Sequence, residues 1–197
     1  MEEIKSGYTR VSTILNMVPS FTGMSWIYPM ASIDQQVLSE KASIGSQVHL
    51  AIAASVKDQF YPLNEKEKPY FESYKKWAKR VKLKTLESEL RLYDDGLKIT
   101  GCVDMVGKLN EAPDWTIIDF KCTVFADTFK WPLQGAFYEY LLRMNQYHFS
   151  KEVIFVQLDK NGELPKIYQF TIDNKLMTAM ISVYNTFMYL TQSVTIL

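Results

Sequence analysis

Asp119 and Lys121 stand two residues apart in the stretch Trp115-Thr116-Ile117-Ile118-Asp119-Phe120-Lys121. That composition reads as a strand, and alternate side chains of a strand leave it on one face. Trp115, Ile117, Asp119 and Lys121 therefore share a face, and a carboxylate and an ammonium enter the same space. The preceding run, Ile99-Thr100-Gly101-Cys102-Val103-Asp104-Met105-Val106, is apolar and β-branched around a single acid, Asp104. An acid in such a run is costly unless it is paired, solvated or bound to a metal. Two acids on adjacent strands can hold a hard divalent cation through oxygen ligands. Such a cation polarises a phosphate and generates hydroxide from water. Lys121 would orient that water or neutralise charge building on the phosphate. Taken alone, Asp-x-Lys on a strand is more often a structural ion pair, so the surrounding residues decide.

Gly45-Ser46-Gln47-Val48-His49 falls on a helix, with His49 at the edge of its apolar face, where a lone His is usually a core or rim residue. Glu89 lies on the strand that should pair beside Asp104; a lone Glu there is usually solvated. Gln134 and Tyr138, four apart, share a helical face and on their own form an amphipathic rim.

Together these residues resemble the PD-(D/E)XK nuclease superfamily, in the RecB-like branch that includes phage-type exonucleases and the mitochondrial genome maintenance exonuclease. The matching segments, in order, are Gly45 to His49, Glu89-Leu90-Arg91-Leu92-Tyr93, Gly101-Cys102-Val103-Asp104, Ile117-Ile118-Asp119-Phe120-Lys121-Cys122-Thr123 and Gln134-Gly135-Ala136-Phe137-Tyr138. The opening Tyr8-Thr9-Arg10-Val11-Ser12 also looks like this branch, so the resemblance runs from about residue 8 to 140. It implies that Asp104 and Asp119 bind Mg2+ or Mn2+, joined by the Phe120 carbonyl and by His49. It implies that Lys121 supports the attacking water and that Glu89 lies beside the metal and ligates it or holds a water. Gln134 and Tyr138 would steady the site and touch the DNA backbone, which suits an amide and a phenol. Two departures stand out: Asp119 occupies a position where many members have Glu, and Thr123 comes one place later than the commonest pattern. Glu87 shares a face with Glu89 and competes for the early acid's role; the interval to Asp104 favours Glu89.

The elements that must position these groups follow from periodicity. Residues 32 to 40 and 43 to 58 read as two helices, with Ser43 as N-cap of the second, and 65 to 81 as another. Strands are expected at 85 to 93, 97 to 108 and 115 to 122, an antiparallel meander turned by Asp94-Asp95-Gly96 and Glu111-Ala112-Pro113-Asp114. A helix over 132 to 145, with Pro132 in its first turn, strands at 152 to 158 and 166 to 171, and a helix over 173 to 191 complete the order. The expected fold class is α/β: a restriction-endonuclease-like core with a central mixed sheet flanked by helices and an N-terminal helical region. The chain fits a single domain, mainly helical over 1–82 and sheet-containing over 83–197.

Lys plus Arg and Asp plus Glu each number 22, so net charge does not advertise nucleic acid and any DNA contact must be local. Lys75-Lys76-Trp77-Ala78-Lys79-Arg80 interleaves cations with an aromatic, as a strand-tracking groove would, and reads equally as a solvated helix face. Arg10, Trp26, Tyr28 and Trp131 could line a single-strand path. The two cysteines, Cys102 and Cys122, exclude an iron–sulfur cluster. They flank the site and read as free thiols rather than a disulfide, pointing to a reducing compartment. Met1-Glu2-Glu3-Ile4-Lys5 lacks a signal peptide's apolar stretch, and no run approaches the ~20 residues of a membrane span. The expectation is a cytoplasmic, metal-dependent DNA exonuclease of repair, recombination or phage replication, in the host cytoplasm if phage-encoded, acting on single-stranded DNA or free ends. An endonuclease with the same site, or a non-cleaving binding protein on this fold, are the alternatives.

Overall fold

The computed structural model of the protein describes residues 4–18, 35–147 and 151–192. Trp26 and Tyr28 lie outside the described residues. In chain order the elements are β1 (Thr9–Arg10), α1 (Val11–Leu15), α2 (Gln35–Val56), α3 (Lys68–Arg80), β2 (Lys84–Asp94), β3 (Ile99–Lys108), β4 (Thr116–Lys121), α4 (Lys130–Met144), β5 (Glu152–Gln157), β6 (Lys166–Thr171) and α5 (Asn174–Gln192).

The six strands form one mixed sheet. β2, β3 and β4 make the antiparallel meander that the turn residues require. β4 and β5 pair in parallel, with α4 as the crossover that a parallel pair needs. β6 returns antiparallel to β5. β2 covers one edge of β3 along its length. The other edge is shared: β1 pairs in parallel with Ile99 and Thr100, and β4 pairs with Met105 to Gly107. Residues 101–104 of β3 therefore face a gap between β1 and β4.

Apolar cores lie on both faces. One packs Ile14, Phe137, Leu141 and Met180 from α1, α4 and α5 against Val103, Ile117 and Phe155. The other packs Val48, Ile52, Tyr74 and Trp77 from α2 and α3 against Ile118, Phe120 and Val156. With both faces covered, the four central residues of β5 are apolar, and Val153, Ile154, Phe155 and Val156 are all buried. Helices on both faces of a mixed sheet make an architecture compatible with a restriction-endonuclease-like core.

Several expectations change. The two helices expected at 32–40 and 43–58 are one helix, α2, as far as described, and Ser43 sits inside it. Glu40-Lys41-Ala42 are good helix formers, so nothing breaks it there. β1 and α1 interrupt the expected helical N-terminal region; a two-residue strand is too short to show a period. Trp77 and Trp131, expected to contact DNA, are core residues. Trp77 meets Phe120 edge-on at 6.0 Å, and Trp131 stacks on Phe155 at 5.4 Å. On α3 the cations point outward while the tryptophan anchors the helix. Lys75 pairs with Glu72 and Lys76 with Glu163, which partly neutralises the expected basic patch.

Gly101 lets α4 sit close to β3: a Cβ there would come within 2.9 Å of Leu141 Cδ1 and 3.1 Å of the Tyr138 ring. Gly101→Val should therefore destabilise the protein by about 1–3 kcal/mol, the range for overpacking a dense core. A lowered urea midpoint at unchanged m-value would register this, and a wild-type midpoint would refute the close approach.

Candidate metal centre

The β3–β4 ladder runs from Gly107 and Thr116 to Met105 and Ile118, then stops. Beyond that point the Phe120 N–H donates to Asp104 Oδ2 at 2.8 Å instead of to a strand carbonyl. The other oxygen of Asp104 lies 3.3 Å from His49 Nδ1. His49 Nε2 in turn lies 2.9 Å from the Phe120 carbonyl oxygen. A carboxylate and a carbonyl can only accept, so this arrangement suits a doubly protonated ring, which must release one proton before that nitrogen can bind a metal. Burial alone would lower its pKa. The charge and hydrogen bond of Asp104 outweigh that and raise it to about 9. Burial also opposes ionised Asp104, but His49, Lys121 and the Phe120 N–H hold it below the usual carboxylate range.

Asp119 faces the opposite way, toward α4. It is 1% exposed. Its Oδ1 accepts from Gln134 Nε2 at 3.0 Å. Its Oδ2 lies 2.5 Å from Lys121 Nζ, a buried ion pair. Gln134 Oε1 accepts from Lys121 Nζ at 3.0 Å, and Gln134 Nε2 also donates to the Tyr138 hydroxyl at 2.8 Å. Burial and the negative charge of Asp104 raise Asp119 to about 6 against the pull of Lys121. The sequence pattern places these groups: alternation along β4 sends Ile117, Asp119 and Lys121 to the α4 side and Ile118 and Phe120 to the α2 side.

Glu89 lies on β2 between the paired residues Ser88 and Leu90 with φ of +52°, a left-handed conformation unusual for a residue with a Cβ. In β3, Val103 joins the core under α4 and Met105 the core under α2, so the alternation breaks at Asp104. Burial of its carboxyl and the charge of Asp104 raise the Glu89 pKa. The Cys102 thiol donates to Glu89 Oε2 at 3.6 Å. Both cysteines are free, and burial pushes each thiol up to about 12, far from reactive.

His49, Glu89 and Asp104 offer ligand atoms within 4.8 Å of one another, a group able to hold a metal ion. Glu89, not Glu87, is the early acid in this group. Asp119 is not in it; of the four expected ligands the structure brings His49, Asp104 and the Phe120 carbonyl together and turns Asp119 to Lys121 and Gln134. The fit to a divalent cation rests on the donor set of these three side chains, one imidazole and two carboxylates converging on one point.

A cleft of about 980 Å3 opens beside His49, Lys121 and Gln134. Lys41, Lys130, Val124 and Phe125 also line it, and sequence reading passed over all four. The signal available was Phe125, an aromatic in the loop-like stretch after Lys121. Arg10, at the N-cap of α1, and Lys75, Lys76 and Lys79, on the outer face of α3, are not among the described residues that line this cleft.

No protein-family model matches the chain, and no curated protein does. Among solved structures, one of a protein from Eubacterium rectale, described as a candidate exonuclease, has a similar fold: TM-score 0.50, 12% identity, covering 95% of this chain and 85% of that one. The crystal structure of SSO0001 aligns over 94% of this chain and 79% of its own, with a TM-score of 0.49 and 13% identity.

His49 binds its proton more tightly in the folded chain than its ordinary value of about 6.5. Its ion pair with Asp104 therefore contributes fully below about pH 6.5 and is lost as pH rises through about 9. In EDTA, the melting temperature should fall by about 5 °C between pH 7 and pH 10. His49→Gln should flatten that decline, and an equally steep decline in the variant would rule out His49 as its source.

Proposed function

We propose that this chain is a divalent-metal-dependent nuclease that hydrolyses phosphodiester bonds of DNA, acting as an exonuclease on single-stranded or free ends. The observation that carries this reading is the concentration of charge at the end of the β3–β4 ladder. Asp104, Asp119, Lys121 and His49 sit there together with Glu89 at the rim, far more ionisable groups than holding two strands requires. A fold similar to that of a candidate exonuclease supports the same reading.

Mg2+ or Mn2+ would be held by Asp104, His49 and Glu89, with Asp119 and the Phe120 carbonyl as further oxygen donors. When bound, such an ion polarises a phosphate and lowers the pKa of water. The remaining work falls to the chain's own residues. Lys121 sits beside Asp119 with its ammonium fixed by two acceptors, Asp119 and Gln134, so it can orient a water and offset charge on a phosphate oxygen. Gln134 holds Lys121 through one end of its amide and Asp119 through the other, and Tyr138 braces the same amide. Gln134 and Tyr138 are thereby positioning residues.

End-labelled DNA incubated with Mg2+ or Mn2+ tests the proposal. Degradation should proceed from free ends, spare circular DNA and stop in EDTA. Asp119→Asn and Lys121→Ala should each lower the rate by about a hundredfold or more, the scale for losing a preorganised charged group. Undiminished cleavage in either variant would sink the mechanism. Rapid linearisation of circles by the intact protein would convert the reading to an endonuclease.

A further inference from the structure

We infer that Phe125 is a stacking platform at the cleft, and that its ligand is an unpaired nucleotide of a single-stranded polynucleotide; the identity of that ligand rests on the nuclease reading above. Phe125 and Val124 are 71% and 59% exposed, in the loop between β4 and α4. Both line the cleft that holds Lys121 and Gln134. Trp131 and Phe120, which also border that cleft, are buried, so Phe125 is its most exposed aromatic ring among the described residues.

A single exposed apolar side chain is ordinary on a mobile loop. This loop is tied down. The buried Gln157 donates from Nε2 to the Thr123 carbonyl at 2.8 Å. Thr123 Oγ1 donates to the Phe125 carbonyl at 3.1 Å. Asp127 Oδ1 accepts the N–H groups of Phe129 and Lys130 at 3.3 and 3.0 Å. The ring of Phe125 is thus presented on a backbone fixed on both sides, so little conformational entropy remains to be lost when a flat ligand covers it.

The same cleft supplies cations. Lys41, Lys121 and Lys130 line it. Ammonium groups for phosphates beside an aromatic face for a base are the two components of single-strand recognition. Bases inside a duplex are already stacked on one another and cannot cover the ring, so the platform favours unpaired nucleotides.

The test is binding of fluorescein-labelled oligodeoxythymidylate to the full chain, followed by anisotropy in EDTA so that no strand is cut. Phe125→Ala should weaken binding about tenfold, within the range for one stacked base, and Phe125→Trp should restore it to within about twofold. Blunt duplex affinity should change little, and an oligonucleotide made entirely of abasic sites should not distinguish wild type from Phe125→Ala. Equal affinity of wild type and Phe125→Ala for the oligonucleotide, with cleavage by the wild type intact, would overturn the stacking role and leave the nuclease reading standing. A wild-type protein that neither binds nor cuts DNA would overturn both. An equal loss on duplex and single strand would replace stacking by a general surface effect and also overturn the inference.

Discussion

The hydrogen bond from the Phe120 N–H to Asp104 sets the geometry of everything around it. Were β3 and β4 to stay zipped past Met105 and Ile118, strand carbonyls would take the backbone donors and the acids would be left crowded against one another. Instead a side chain takes the place of a strand, the two strands part, and an opening forms where polar groups can be buried with partners. His49 then closes a ring of contacts, holding the Asp104 carboxylate with one nitrogen and the Phe120 carbonyl with the other. The same residue, Phe120, anchors the opening from the other end: its ring lies edge-on to both Tyr74 and Trp77 in the core under α2 and α3.

β4 acts as a partition. Asp104 looks across it to α2, whereas Asp119 looks to α4, and the peptide of Phe120 joins the two halves. Each half has its own cation, His49 for Asp104 and Lys121 for Asp119. The halves feel each other through charge: ionised Asp104 is one cause of the raised pKa of Asp119. This is the behaviour of adjacent carboxyl groups that cannot both be ionised cheaply in a dry setting. A cation held by His49, Glu89 and Asp104 would offset the charge of Asp104 that Asp119 feels.

Much of the sheet could be read in the chain. The period of two placed Ile117, Asp119 and Lys121 on one face, and the turn at Asp94-Asp95-Gly96 joined the right strands. Spacing also brought Gln134 and Tyr138 onto one face, and they do share a hydrogen bond. The errors have physical causes. A two-residue strand such as β1 carries no period, and a helix as well formed as α2 offers no internal stop at Ser43. Cations flanking Trp77 suit a nucleic-acid surface, and Trp131 suits a strand path, but both large rings are buried as core anchors. The direction of the Asp119 carboxylate was beyond reach, since it depends on Gln134 and Lys121 meeting in space. So was Phe125, whose exposure depends on a loop tied by Gln157 from another strand.

Glu89 shows what the site asks of the fold. Its left-handed backbone, in the middle of a strand, is a conformation that glycine holds at much lower cost. Glycine there would relax β2 but would also remove one of the three converging side chains, His49, Glu89 and Asp104. On the proposed nuclease reading, folding and chemistry pull in opposite directions at this position. A search for stabilising substitutions would select a change at residue 89 early, and the more stable chain would carry an emptier site.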